Sequence, residues 1–224
     1  MITCVTSHWI FYSCILLAGS LSLIPIIGKF INVLNTMVHE SGHAVVALLT
    51  GGGVMNIKLS ADTSGAAQTK SKYWIGKVLT SIAGYPISAL TAWLLFWLIQ
   101  VHKTKYVYYL LISLILINLI LWVRNTFGII WLIVMGSLCA IIYLYCNDLV
   151  QYYFASFCAA VILFQSLYST FTLLFIAIKT PAKAGDAKNL KEFTYIPTAI
   201  WALLLLAIVI YANYNTFFLL PCMQ

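Results

Sequence analysis

The sequence predicts an all-α membrane protein of about seven transmembrane helices, with a short β-hairpin after the second. Three observations predict it. First, 63% of the 224 residues are hydrophobic and only 8% are charged, where a soluble domain carries about 25% charged residues. Such a chain cannot cover itself with polar surface in water. Second, the apolar residues fall into runs near the roughly 20 residues that a helix needs to cross a bilayer. Third, one of these runs carries its polar residues in a single stripe. The net charge of +7 is no nucleic-acid footprint, because the lysines sit between apolar runs, where they set membrane orientation.

The predicted spans are residues 9–27, 31–50, 75–101, 106–123, 128–146, 149–178 and 196–213, within one polytopic domain over 1–224. The N-terminus lacks the basic region of a signal peptide, so the first run is expected to stay as a span. Pro25, Gly28 and Lys29 separate it from the second. Gly51, Gly52 and Gly53 stop the second helix. Residues 54–60 then alternate polar and apolar, with Met55, Ile57 and Leu59 on one side. The turn cluster Asp62-Thr63-Ser64-Gly65 follows, and 66–72 can return as a weaker strand. Gly84-Tyr85-Pro86 predicts a kink in the third span. The six cysteines lie mostly in apolar runs with no C-x-x-C pair, and read as small buried hydrophobes.

The second span holds His39-Glu40-Ser41-Gly42-His43. Histidines four apart on a helix project from one face, one turn apart, so both imidazoles can reach one zinc ion. Glu40 beside them can take a proton from water. This is the mechanical content of the H-E-x-x-H motif. Asn32, Asn35, Thr36, His39, His43 and Thr50 recur at helical spacing and form one polar stripe. The plainer reading is a pair of buried histidines bonding neighbouring helices. Ionisable groups inside a membrane helix are costly, however, and mark function by default.

With seven spans, one side collects Lys58, Lys70, Lys72, Lys77, Arg124, Lys179, Lys183, Lys188 and Lys191, and the other Lys29, Lys103 and Lys105. The richer side, with the N-terminus, is then cytoplasmic, and Gln224 is external. The motif would lie roughly 10 Å below that surface at 1.5 Å per residue. A catalytic zinc takes a third protein ligand and leaves a position for water. Asp148, on the other side before the sixth span, reads as a helix N-cap. Glu192 sits between lysines on a solvated face. Asp62 belongs to a turn cluster, where aspartate bonds its own backbone. Asp186, in a cytoplasmic segment that can fold back, is the residue favoured, with an N-cap as its alternative role.

These residues resemble the site-2 proteases, which are intramembrane zinc metallopeptidases, and most closely a bacterial branch of them. The motif, Leu23-Ile24-Pro25 before it, Thr50-Gly51-Gly52 after it, Arg124-Asn125-Thr126-Phe127-Gly128, and Asp186-Ala187 ahead of Ile196-Pro197 carry the likeness over roughly residues 20–205. The resemblance implies His39 and His43 as zinc ligands, Glu40 as general base and acid, and an aspartate as third ligand, which points to Asp186. It implies a bacterial plasma membrane and a membrane-spanning protein segment as substrate. The 54–60 strand is expected to pair with such a segment by strand addition. The chain departs from the better-studied members, which place that aspartate in a Leu-Asp-Gly segment within a span. A catalytically inactive relative, acting as scaffold or in ion handling, is the alternative.

Overall fold

The computed structural model describes residues 4–218. Its elements are α1 (Cys4–Ser22), α2 (Ile27–Leu49), the strands β1 (Gly53–Leu59) and β2 (Gly65–Lys70), α3 (Trp74–Gln100), α4 (Thr104–Ile117), α5 (Thr126–Tyr145), α6 (Asp148–Lys179), α7 (Gly185–Thr194) and α8 (Thr198–Phe218). A π-helical turn, Asn118–Trp122, extends α4, and a 3-10 turn, Pro181–Lys183, precedes α7. The protein is thus helical with one two-stranded antiparallel hairpin.

Five helices are long and apolar enough to cross a membrane: α3, α4 with its π turn, α5, α6 and α8. Among the described residues, neither of the first two predicted spans is by itself long and apolar enough to count as a crossing. α1 and α2 are bent by 112° at a short break and count together as one, giving at most six. The corner lies in residues 23–26, where helix-like hydrogen bonds continue across the break. The Gly28 N–H bonds to the Ile24 carbonyl at 2.7 Å, and the Asn32 side chain donates to the Ser22 carbonyl at 3.2 Å.

The lower count changes the address of the chain's start. The Phe11 ring packs edge-on against Phe96 at 4.7 Å and Phe217 at 5.6 Å, near the last turns of α3 and α8. The other ends of those helices meet α7, where Trp74 donates to the Phe193 carbonyl at 2.7 Å and Trp201 to the Thr194 hydroxyl at 2.8 Å. The start of the described chain therefore lies at the end opposite the hairpin and α7, and not beside them as seven spans required. Lys29 also changes group, since it acts electrostatically on Asp62 at the hairpin turn. The C-terminal residue Gln224, expected outside, falls beyond the described residues.

At the motif end, β1 is held on both edges. It pairs with β2 from Gly53↔Lys70 to Leu59↔Gly65, with an irregularity between Val54 and Asn56, and Ile57 bridges to Val123. The Asn125 side chain donates to the Leu59 carbonyl at 2.6 Å and accepts the Leu59 N–H at 3.1 Å. Beside it, the Arg124 guanidinium caps the π turn, donating to the carbonyls of Ile120, Leu121 and Val123 at 2.8–2.9 Å. That closes backbone acceptors which the bilayer would otherwise leave unpaired.

α3 runs unbroken through Pro86, so the predicted kink does not interrupt it. Asp148 is not the cap of α6. Asn147 takes that place and accepts the Val150 N–H at 3.0 Å. Cys14, Cys139 and Cys158 are free thiols buried in the core.

This arrangement makes an expected result for labelling. Cysteine placed at Ser64 or Lys183 should react with an impermeant maleimide from one face of the membrane. Cysteine at Lys103, at the turn between α3 and α4, should react from the opposite face. Labelling of all three from one side would overturn the topology.

Candidate metal centre

His39 and His43 point from α2 into a cavity of about 740 Å³, lined by α2, β2, α3, α6 and α7. The back of the motif helix is pinned. Buried Asn118, in the π turn, donates to the Ser41 hydroxyl at 2.8 Å, and Ser41 donates to the Met37 carbonyl at 2.7 Å.

The two imidazole Nε2 atoms are 3.0 Å apart, and each lies 3.3 Å from Asp186 Oδ2. Asp186 is in the first turn of α7 but caps nothing, since the N-cap position is Ala184. The carboxylate is turned to the histidines instead. α7 holds it there because Ala184, Ala187 and Leu190, spaced by three, are fully buried against α3, α6 and α8. Two alanines let the helix approach closely. Burial pushes the Asp186 carboxyl up, but the adjacent His43 and His39 imidazoles outweigh it and hold it below the usual carboxylate range.

The three atoms fit a zinc ion. Ligand bonds near 2.0–2.1 Å in a tetrahedron put ligand atoms about 3.3 Å apart, and this triangle has edges of 3.0, 3.3 and 3.3 Å. A second feature agrees. A Cβ on Gly84 of α3 would sit 2.5 Å from His39 Nε2 and 2.6 Å from His43 Nε2. The helix backbone thus approaches the nitrogen pair as closely as only glycine permits. The Thr80 carbonyl, one turn earlier on α3, lies 2.6 Å from His43 Nδ1. It accepts the Nδ1 proton, which leaves Nε2 as the free lone pair. The Tyr85 ring stands edge-on to His39 at 4.4 Å.

Glu40 does not join the triangle. It is buried with 5% exposure and faces β2, where the Ala67 main chain hydrogen-bonds to its carboxylate. A Cβ on Gly65 would collide with Glu40 Oε1, so glycine is needed there as well. Asp62 stays in the turn, where its Oδ1 accepts the Ser64 hydroxyl at 2.6 Å and the Ser64 N–H at 3.0 Å. Those bonds keep its carboxyl below the usual value. Glu192 pairs with Lys188 at 3.6 Å on the exposed side of α7.

The free edge of the hairpin is β2, not the 54–60 strand expected from the sequence. The Ser60 N–H bonds to the Ser64 carbonyl at 3.0 Å. From that pair the ladder alternates. Gly65 and Ala67 then turn their N–H and C=O groups away from β1, as Leu59 and Ile57 do on the other side. Asn125 and Val123 take up that other side. Gly65 and Ala67 border the cavity.

Among the described residues, His39, His43 and Asp186 are the group that could hold a metal ion. With its apolar spans, the protein belongs to the class of integral membrane proteins that carry a candidate two-histidine, one-aspartate metal site. The profile of the Peptidase M50B-like family matches residues 12–215. That is most of the chain, and the protein is a member of this family. No curated protein and no solved structure matches it.

Proposed function

We infer that the protein is a zinc endopeptidase that cleaves membrane-spanning protein segments near the cytoplasmic face. The observation that carries this reading is the His39–His43–Asp186 triangle with Glu40 beside it, in a chain of a peptidase family. Zinc, when bound, polarises the scissile carbonyl and acidifies water. His39, His43 and Asp186 hold it, and the Thr80 carbonyl fixes the His43 tautomer. Glu40 takes the proton of the attacking water and returns it to the leaving amine. A substrate helix shields its carbonyls, so it must extend locally. The outward N–H and C=O of Gly65 and the C=O of Ala67, whose N–H is held by Glu40, offer such a segment a strand to pair with. Ten of the twelve Lys and Arg residues gather at the motif end, which supports a cytoplasmic address for the site. The Cys4 end of α1 then faces the opposite compartment.

Glu40→Gln tests the reading. Hydrolysis of a reconstituted transmembrane substrate should fall by about 10²–10⁴-fold, the usual worth of a general base. Zinc should stay near one per chain, because Glu40 is not a ligand. Undiminished hydrolysis would remove the proposed mechanism. Wild-type protein that holds zinc but cleaves no membrane segment would favour the inactive relative.

A further inference from the structure

Asn35 lies one turn before His39, so Asn35, His39 and His43 share one face of α2 at spacing four. Its side chain lines the metal cavity and is only 6% exposed. Its Oδ1 is buried and accepts no hydrogen bond among the described residues. The amide oxygens of Asn32, Asn118 and Asn213 are also buried without a partner among the described residues, but of these four asparagines Asn35 alone lines the cavity. Thr36 donates to the Thr63 carbonyl at 2.9 Å, Asn32 to the Ser22 carbonyl at 3.2 Å, and His43 meets the Thr80 carbonyl at 2.6 Å. A buried amide without its partners costs stability, and such groups persist where a ligand completes them.

The proposed substrate supplies what is missing. A strand that adds to β2 pairs through alternate residues only. The residues between them turn N–H and C=O the other way, into a cavity where each buried group needs a partner. An asparagine amide carries both donors and an acceptor and can match a peptide group on both counts. About 6 Å of helix rise separates Asn35 from His39, which is within two residues of the scissile bond along an extended chain.

We propose that Asn35 is a substrate-binding residue, which clamps the backbone of the extended segment at a peptide group facing away from β2. This rests on the peptidase reading. The contact is to main chain, so it favours extended conformation and not a particular side chain.

The test uses zinc-loaded full-length protein and two metal-directed probes. Trileucine hydroxamate engages the metal and offers a peptide backbone, whereas acetohydroxamate engages the metal alone. Asn35→Ala removes the amide, and Asn35→Asp keeps its size but loses its donors. Both variants should retain zinc and bind acetohydroxamate within about twofold of wild type. Trileucine hydroxamate should bind Asn35→Ala about ten- to a hundredfold more weakly, the worth of a buried peptide hydrogen bond lost from one side. Asn35→Asp should also bind it more weakly. Unchanged binding of the peptide probe would overturn the inference and leave the peptidase reading standing. Equal weakening of both probes, or zinc loss in both variants, would overturn it too, because Asn35 would then act on the metal site. Wild-type protein that retains no zinc would instead remove the peptidase reading, and this inference with it.

Discussion

Gly84→Ala should lose zinc and, with it, hydrolysis. The added Cβ would stand 2.5–2.6 Å from the Nε2 atoms of His39 and His43, well inside contact distance. Either α3 retreats or the imidazoles swing away, and in both cases the ligand triangle opens by about an ångström. Displacements of that size in a catalytic constellation cost about a hundredfold or more. The helix itself should not suffer, since alanine is the better helix former by roughly 1 kcal/mol. Melting of the metal-free variant should therefore stay close to wild type while metal analysis finds the zinc gone. Gly53→Ala is the control, because nothing lies within 4 Å of its Cβ. Full zinc retention in Gly84→Ala would mean that the Nε2 atoms are not where a metal sits.

Gly84 also marks what a sequence can and cannot convey. His39, Glu40 and His43 are legible because one helix fixes their relation, and a spacing of four suffices. The hairpin is legible because strand alternation and a turn cluster are local signals. Gly84-Tyr85-Pro86 reads locally as a kink, yet its glycine serves a contact with a different helix, and no spacing within α3 carries that. The same holds for Thr80 and Asn118. A threonine carbonyl under His43 and an asparagine behind Ser41 depend on how α3 and the π turn dock on α2. The described residues give five or six candidate spans where the sequence counts seven, and the difference arises at residues 23–26. Length and hydropathy count apolar runs, but a corner of four residues decides whether two runs make two crossings or one bent unit. The free edge of the hairpin was misplaced for a related reason, since Asn125 comes from 66 residues away in sequence to occupy β1.

Asp186→Ala should abolish zinc retention, whereas Asp62→Ala should leave it within about twofold of wild type. The two aspartates are chemically alike and both lie at the motif end, but their partners differ. Asp62 spends its carboxylate on the Ser64 hydroxyl and N–H, a local turn that an alanine can only loosen. Asp186 puts Oδ2 at 3.3 Å from each imidazole, on a helix whose Ala184, Ala187 and Leu190 are fully buried. Removing it leaves two histidines where three protein ligands are usual, and a loss of affinity beyond about a hundredfold is expected, more than outer-shell changes cost. Asp186→Asn should fall between, keeping size and one oxygen but losing the charge. The measurement is zinc titration against a competing chelator on purified protein. Because α7 is anchored through its alanines and leucine, and by the Trp74 and Trp201 bonds at its end, the fold should persist in all three variants. Zinc bound as tightly by Asp186→Ala as by wild type would show that the third ligand comes from elsewhere in the cavity. Asp62 would be the alternative only if its own variant lost the metal instead.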